Sequence, residues 1–378
     1  MVNMDTYLNL SDDQEKQSAI ILADNDLDTS YGKVTHGLLR LSSRFNVSAI
    51  VAPDVPYDTS GTIIPDVHHE IPIFDDLTTA LAILEVTPKY AIIGIANSGG
   101  RMSEVLRGLA LDCIEQGINV VNGLHDYLTD DPELSRLSQN RGATLLDLRK
   151  PKPANNLHFW SGAVYGVKVP KVAVLGTDCV LGKRTTAWML VKSLKRRGVK
   201  AELIYTGQTA WLQGAEHGFI LDATLNDFVS GELERSIVDC DRKKSPDLML
   251  IEGQSSLRNP SGPCGAELLL SANATAAIIQ HSPRRLSFLG VDNDLAPRPD
   301  LDAELKILDA YNVPCLGVAL NTTNMSTDEI TLEMERIRKS YSLPVCSPLN
   351  DGCSPLMAVI EALVSKPSYM AMEDGASK

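Results

Sequence analysis

Short apolar runs alternate with helical patterns along almost the whole chain of 378 residues, and this alternation restricts the fold more than any other feature. Three runs in the first part predict buried strands: SAIILAD (18–24), VSAIVAP (47–53) and YAIIGIA (90–96). Helical patterns lie between them, one over residues 34–45. Because alternation of this kind is typical of βαβ units with parallel strands, we predict an α/β protein built on parallel sheets.

Residues 149–170 interrupt the alternation with a stretch rich in proline, glycine and basic residues, as a domain linker would. A second series of strands and helices begins at Lys171. We therefore predict a Rossmann-like N-terminal domain over 1–148, a linker over 149–170 and a second parallel-sheet domain over 171–378. The first domain lacks the GxGxxG fingerprint of dinucleotide-binding proteins.

The second domain opens with KVAVLGTDCVLGKRTTA (171–187), a strand followed by a glycine-bounded loop and a helical pattern. A plain strand–turn–helix would explain the two glycines, but it explains less well the lysine and two threonines behind them. Backbone N–H groups, a helix N-terminus and a lysine together favour a phosphate site of the P-loop NTPase type. The predicted ligand-binding residues are Gly176, Thr177, Asp178, Gly182, Lys183, Arg184, Thr185 and Thr186.

Arg184 departs from the common P-loop pattern, which has the Ser or Thr that binds Mg²⁺ directly after the lysine. A guanidinium cannot be a Mg²⁺ ligand, which should be an oxygen. Thr185 or Thr186 takes over that role only if the loop shifts by one residue. The loop therefore indicates phosphate binding more strongly than NTP hydrolysis, and we predict no metal site.

Polar residues follow several other apolar strands, at the sheet edge where ligands bind in open α/β folds. A single polar residue at a strand end is usually a solvated loop residue, but several such ends beside a P-loop favour a site. The candidate catalytic residues are Glu252, Gln208, Asp222 and His281, and Asn321 stands where related P-loop proteins use an amide to bind adenine. In the first domain, IANSGGRM (95–102) forms either a tight turn or a carboxylate site with the residues Asn97, Gly99, Gly100 and Arg101.

Composition excludes several classes of function. The net charge of −13 makes a nucleic-acid partner unfavourable, because phosphate backbones attract basic surfaces. No apolar run has membrane-spanning length, and the first 20 residues are polar and acidic, unlike a signal peptide. Seven scattered cysteines without CxxC indicate neither a disulfide framework nor a zinc site. We expect a cytoplasmic protein that acts on small molecules, without nucleic acid or membrane, as a homo-oligomer.

The order of several phrases along the chain resembles one two-domain family, formerly catalogued as a domain of unknown function. The phrases are ADNDLDTSYGKVTHGLLR, GLHDYLTDDPEL, DLRKP, GTDCVLGKRTTA, YTGQTAWLQG, LNDFVSGELE, IEGQSSL, QHSPRR and GVALNT. The resemblance extends from about residue 18 to residue 365. It implies a Rossmann-like domain followed by a P-loop domain, in agreement with the alternation.

A branch of that family acts as a D-glutamate N-acetyltransferase, and the resemblance implies acetyl-CoA as co-substrate and an acidic amino acid as acceptor. The carboxylates of this acceptor would bind Arg258, Arg101 or Arg149. This chain has Asn259 where the family tends to have His, in the stretch where the resemblance implies that the acceptor binds. Two alternatives stay open: an ATP- and magnesium-dependent ligase or kinase, since the GTD loop also resembles that of dethiobiotin synthetase, and a nucleotide-binding protein without catalysis.

Overall fold

The computed structural model describes residues 16–64, 70–291 and 296–365. Contacts divide the chain into two units. Unit 1 comprises Met1–Lys152 and Gln208–Gly214, and unit 2 comprises Pro153–Gly207 and Ala215–Lys378. The chain therefore passes from one unit to the other three times. The predicted boundaries at 148 and 171 stay a prediction.

Unit 1 contains a six-stranded sheet in which all pairs are parallel, in the order β3-β2-β1-β4-β5-β6. This is the order of the dinucleotide-binding Rossmann fold, with its switch point between β1 and β4. The strands are β1 Gln17–Leu22, β2 Phe45–Val51, β3 Ile73–Phe74, β4 Tyr90–Ile93, β5 Asn119–Asn122 and β6 Leu145–Asp147. The helices between them are α1 Lys33–Arg40, α2 Ser60–Ile63, α3 Leu77–Ile83, α4 Glu104–Glu115 and α5 Pro132–Arg141.

The helix predicted over 34–45 is shorter in the structure, because α1 ends at Arg40. Leu41 is extended, and its N–H donates to the Gly37 carbonyl. The Ser42 hydroxyl then accepts from the Phe45 N–H, 2.9 Å away, at the first residue of β2. A serine side chain that bonds to nearby backbone competes with helix formation, which the apolar spacing alone did not reveal.

Unit 2 contains a seven-stranded parallel sheet in the order β13-β12-β11-β7-β10-β8-β9. Its strands are β7 Lys171–Gly176, β8 Ala201–Tyr205, β9 His217–Gly218, β10 Leu248–Glu252, β11 Ala276–His281, β12 Cys315–Leu320 and β13 Val345–Cys346. The helices are α6 Lys183–Arg196, α7 Gln208–Leu212 (grouped with unit 1), α8 Val229–Lys244, α9 Ala266–Leu270, α10 Leu301–Ala310, α11 Thr327–Tyr341, α12 Pro348–Asp351 and α13 Ser354–Val364.

The central strand β7 is covered on both faces, which explains its continuous apolar sequence. Val172, Ala173 and Val174 have no exposed surface. Strands that are buried on both faces read as unbroken apolar runs rather than as alternating ones. The carboxyl end of β7, flanked by β10 and β11, therefore places the glycine-rich loop at the middle of the sheet edge.

The segment Gln208–Gly214, with α7, is bound to the rest of unit 1 by buried polar contacts. The Arg44 guanidinium donates to the Trp211 carbonyl at 2.8 Å and lies 4.3 Å from the centre of the Trp211 ring. Gln213 donates from its side chain to the Gly37 carbonyl at 2.7 Å and accepts the Ser43 N–H at its own carbonyl. The sequence suggested only that this stretch follows β8, since nothing in its pattern indicates that it packs with α1.

The two parallel sheets with interspersed helices confirm the predicted α/β class. Among the described residues, no helix combines the length and the apolar character needed to span a membrane.

Candidate functional site

The glycine-rich loop after β7 leads directly into the N-terminus of α6. Gly182 precedes the helix with a φ of 101°, a left-handed conformation that favours glycine. Val180 also has a positive φ, of 52°, which is unfavourable for a β-branched residue. Strained backbone of this kind clusters at ligand-binding sites, because the surrounding contacts must hold it.

Lys183, the first residue of α6, is buried with its ammonium group inside the loop. Its Nζ donates to the carbonyls of Asp178 and Ser255, both at 2.7 Å. Burial lowers the pKa of Lys183, while neighbouring Cys179 and Asp178 oppose that effect. Lys183 thus connects the glycine-rich loop with the loop that follows β10, and holds a positive charge where a phosphate would meet the helix N-terminus.

Asp178 has its carboxylate fully engaged by protein groups. Its Oδ1 accepts from the Asn259 side-chain amide at 2.9 Å, and its Oδ2 accepts the Leu289 N–H at 2.8 Å. The Arg285 guanidinium lies 3.6 Å from the same Oδ2. These donors offset the negative charge of Asp178, so its direct role in the structure is to join three loops around the predicted phosphate site.

Thr177 and His281 face each other, with 3.1 Å between Thr177 Oγ1 and His281 Nδ1. Both side chains are buried. Burial lowers the pKa of His281 to about 4. The imidazole is therefore neutral at pH 7 and is a weak proton acceptor there.

The three residues after Lys183 have different surroundings. The Thr186 hydroxyl is buried and donates to the Gln280 side chain at 2.6 Å, so it fastens α6 to β11. Arg184 and Thr185 are half-buried. Arg184 acts electrostatically on Glu252, whose pKa it lowers against the larger effect of burial. The residue at the usual magnesium position is thus a cation near the acidic end of β10.

Glu252 closes β10 and is almost completely buried. Its Oε2 accepts the N–H groups of Thr206 and Gly207 at 3.0 and 3.1 Å, beyond the end of β8. Burial raises the pKa of Glu252 despite these bonds. A carboxylate with a raised pKa at the centre of a sheet edge is typical of an acid–base group.

The other predicted residues of unit 2 are distributed along the same edge. Asn321, after β12, donates to the Leu181 carbonyl at 3.1 Å and therefore contacts the glycine-rich loop. Arg258 lies in the loop after β10, where its guanidinium donates to the Arg298 carbonyl at 3.2 Å. Asp222 is exposed after β9, the edge strand, three positions from β7 in the sheet order.

In unit 1, the predicted residues 97–101 form a tight turn at the carboxyl end of β4. Asn97 brackets Arg101 with two hydrogen bonds of 2.9 Å, and Gly99 and Gly100 have φ angles of 78° and 61°. The Arg101 side chain is 78% exposed and lies 3.3 Å from the Asp126 carboxylate. The turn therefore presents an accessible guanidinium, as a carboxylate site would require.

The two remaining predicted residues of unit 1 lie at neighbouring strand ends. Arg149 follows β6, and its carbonyl accepts the Tyr127 hydroxyl at 3.2 Å. Gln208 is buried, and its side chain lies against Gly123 after β5, where a Cβ would come within 2.2 Å of its Oε1. A side chain at position 123 would therefore require the amide end of the Gln208 side chain to shift.

Sequence reasoning missed two buried residues of unit 2. Asn259 was noted only as a departure from the family, yet it is fully buried and binds Asp178. Glu304 was not considered, although it is fully buried in the first turn of α10. A signal for it exists in LDAELKILDA, because Glu304 shares the apolar helix face with Leu301 and Leu308.

Both units match family models. Residues 158–357 match the P-loop domain of DUF1611, and residues 57–151 match its Rossmann-like N-terminal domain; both are described as domains of unknown function. The crystal structure of a DUF1611 family protein from Anabaena variabilis has 26% identity and a TM-score of 0.83, covering 92% of this chain and 100% of that one.

Two proteins named D-glutamate N-acetyltransferase are also similar to this chain. The one from Pseudoalteromonas sp. is 32% identical over 275 residues, which cover 71% of this chain and 80% of that protein. The one from Tritonibacter scottomollicae is 30% identical over 282 residues, covering 73% and 82% respectively.

Proposed function

Because the chain belongs to the DUF1611 family, with its Rossmann-like and P-loop domains, we propose that it transfers the acetyl group of acetyl-CoA to the amine of D-glutamate or a similar acidic amino acid. Its relatives with 32% and 30% identity bear the name of D-glutamate N-acetyltransferase, which supports N-acetyl transfer. Acetyl-CoA as donor is part of the proposal.

The observation that carries the proposal is the charge pattern at the start of α6. Lys183 is held inside the loop, and Arg184 stands where a magnesium-dependent enzyme has a hydroxyl. Coenzyme A contains a diphosphate and a third phosphate, and acetyl transfer needs no Mg²⁺. Two adjacent cations at a helix N-terminus suit such a ligand, because hydrogen bonds to charged groups contribute about 1.5–3 kcal/mol each.

In the proposed reaction, the amine nitrogen attacks the thioester carbonyl carbon. A C–N bond forms, the C–S bond breaks, and the sulfur leaves as the thiolate of CoA. The amine gives up one proton to a base, and that proton neutralises the thiolate. The protein must therefore place a proton acceptor near the reacting amine.

Glu252 is the proton acceptor that the geometry favours among the four predicted catalytic residues. Burial raises the pKa of its carboxyl, and two backbone N–H groups fix the orientation of Oε2. His281 has a pKa of about 4, and Asp222 is an exposed residue after the edge strand β9, two positions from β10 in the sheet order. Gln208 has an amide side chain, which cannot take up a proton at neutral pH and can only position a substrate.

The acceptor's carboxylates need guanidinium partners, and Arg258 is the candidate in unit 2. Arg258 lies in the same loop as Ser255, which contacts Lys183. We place one acceptor carboxylate at Arg258, since bidentate pairing with arginine gives geometric specificity. Arg101 and Arg149, which belong to unit 1, stay separate predictions as carboxylate-binding residues.

The proposal is tested by the release of CoA thiol from acetyl-CoA in the presence of EDTA. Release that requires D-glutamate, and that falls at least tenfold in Lys183→Ala, would support it. The matched control is Lys195→Ala, which removes a lysine of the same helix that pairs at the surface with Glu202. No thiol release with any D- or L-amino acid, together with EDTA-sensitive ATP turnover, would favour the ligase alternative instead.

The proposed setting of this activity is the cytoplasm, with small-molecule substrates and a homo-oligomeric assembly. Light scattering coupled to gel filtration measures the assembly, and a mass of one 41.0 kDa chain would exclude it.

A further inference from the structure

Glu304 is a fully buried carboxylic acid without a hydrogen-bond partner among the described residues. It lies in the first turn of α10, and neither of its carboxyl oxygens is bonded. Buried polar groups are nearly always hydrogen-bonded, because leaving a carboxylate unpaired in the interior is costly. Packing does not require an acid at this position, since the neighbouring face residues Leu301 and Leu308 are apolar.

The charges that act on Glu304 belong to the candidate site, and one of them is Lys183 of the predicted phosphate loop. Arg258, from the loop after β10, and Lys183, from α6, both favour its ionised form. The backbone N–H groups of Leu257 and Arg258 favour it as well, although neither carboxyl oxygen accepts a hydrogen bond of ordinary geometry. On its own helix, Asp300 caps the Ala303 N–H, and Asp302 pairs with Lys306 at 2.6 Å on the exposed side. Burial outweighs the cations and raises the pKa of Glu304 to about 7.

A phosphate ligand would change this balance. Bound phosphates would compensate the charge of Lys183 and bring further negative charge near α10. Both effects disfavour a second anion nearby, so an ionised Glu304 would gain a proton. Glutamine or methionine could fill the same space, but neither could respond in this way.

We propose that Glu304 is a proton acceptor linked to the phosphate site, and that it takes up a proton from solvent when a polyanionic ligand binds beside Lys183. The carboxylate becomes a neutral carboxylic acid. One proton per bound ligand would leave the buffer if Glu304 were fully ionised before binding and fully neutral after it. Glu304 acts through the charge of the site and is a positioning residue rather than a catalytic one. The inference rests on the proposed ligand class, but not on acetyl transfer.

The experiment is titration calorimetry of the full chain with CoA, and separately with ADP, in EDTA at pH 7.5. Each titration is repeated in two buffers with different ionisation enthalpies, which gives the number of protons exchanged. For a pKa near 7 that rises by one or more on binding, we expect uptake of about half a proton per ligand. The terminal phosphates of CoA and ADP also titrate near pH 6. The number of protons taken up by the natural chain, minus the number taken up by Glu304→Gln, therefore isolates the contribution of Glu304.

The expected result is that Glu304→Gln binds CoA but loses this half proton, while Asp302→Asn, on the exposed side of the same helix, keeps it. An unchanged proton number in Glu304→Gln overturns the inference and leaves the acetyl-CoA proposal standing. Binding of ADP alone, with uptake that depends on Glu304, supports the inference and overturns the acetyl-CoA proposal. No binding of either ligand overturns both.

Folding of the variant is checked by circular dichroism, and Glu304→Met, of similar volume, replaces it if needed. A second measurement needs no variant: the affinity of the natural chain for CoA should fall about threefold for each pH unit between 7 and 8. This follows because ligand affinity decreases with pH in proportion to the protons taken up. An affinity that rises with pH in this range also overturns the inference.

Discussion

Replacing Glu304 by glutamine should stabilise the ligand-free protein in alkaline solution. The carboxyl has a pKa of about 7 in the folded protein and an ordinary value of 4.5. Because the folded value is raised, the favourable contribution of the neutral carboxyl is complete below pH 4.5 and is lost as the pH rises towards 7. Above pH 7 the ionised carboxylate costs about 3 kcal/mol, since each pKa unit corresponds to about 1.4 kcal/mol.

Glutamine has no such pH dependence, so the difference between the two proteins measures the effect. At pH 5.5 the carboxylate has cost about 1 kcal/mol, or somewhat more, of this free energy, and at pH 8.5 it has cost nearly all of it. The free energy of unfolding of Glu304→Gln, relative to the natural chain, should therefore rise by about 2 kcal/mol between these two pH values. The absolute difference at either pH also includes the change in packing, but the rise does not.

Urea denaturation followed by tryptophan fluorescence measures the free energy, because Trp160 and Trp188 both lie in unit 2. Asp302→Asn is the matched control: its carboxylate is about half exposed, so its loss should change the pH dependence little. A constant difference between Glu304→Gln and the natural chain from pH 5.5 to 8.5 would refute the assignment of a raised pKa to Glu304. It would also remove the basis for linking this residue to ligand binding.

Three further changes test the phosphate site. Lys183→Ala should weaken CoA binding by roughly tenfold or more, about 1.4 kcal/mol, and unchanged calorimetric binding would exclude this loop as the site. Arg184→Thr should weaken CoA binding and strengthen that of Mg-ATP, because a phosphate cation is exchanged for an oxygen ligand; comparison of both ligands with and without EDTA checks this, and equal effects on the two would contradict it. Asn259→Ala should lower the free energy of unfolding by about 1–3 kcal/mol, because the buried Asp178 carboxylate loses one of its hydrogen-bond donors. A loss below about 0.5 kcal/mol in urea denaturation would show that Leu289 and Arg285 alone hold Asp178.

The fold was largely predictable because its information is local. The apolar run of β7 and the glycine-bounded loop before Lys183 are read directly from adjacent residues, and the structure has the strand and the helix there. The end of α5 at Arg141 is equally local, because the next residue, Gly142, adopts the left-handed conformation, with a φ of 70°, that commonly ends a helix.

The features that the sequence did not reveal depend on contacts between distant parts of the chain. The early end of α1 involves Ser42 and Ser43, and Ser43 bonds to Gln213, 170 residues away. The carboxylate of Asp178 is used by Asn259 and Leu289, which no spacing rule connects to the loop. Glu304 shares an apolar helix face with Leu301 and Leu308, which indicates burial, but the cations that act on it come from distant segments of the chain.

Because the chain passes between the units three times, it cannot be divided at one position into two fragments that each contain a whole unit. A break at residue 152 would leave Gln208–Gly214 in the C-terminal product, although its contacts are with the N-terminal one. Trp211 and Leu212, almost completely buried in the intact protein, would then be exposed on a fragment that has lost Arg44. A C-terminal product in which a flexible glycine–serine linker replaces residues 208–214 lacks this apolar surface. We therefore expect the fragment with the linker to be soluble and the simple fragment to be insoluble.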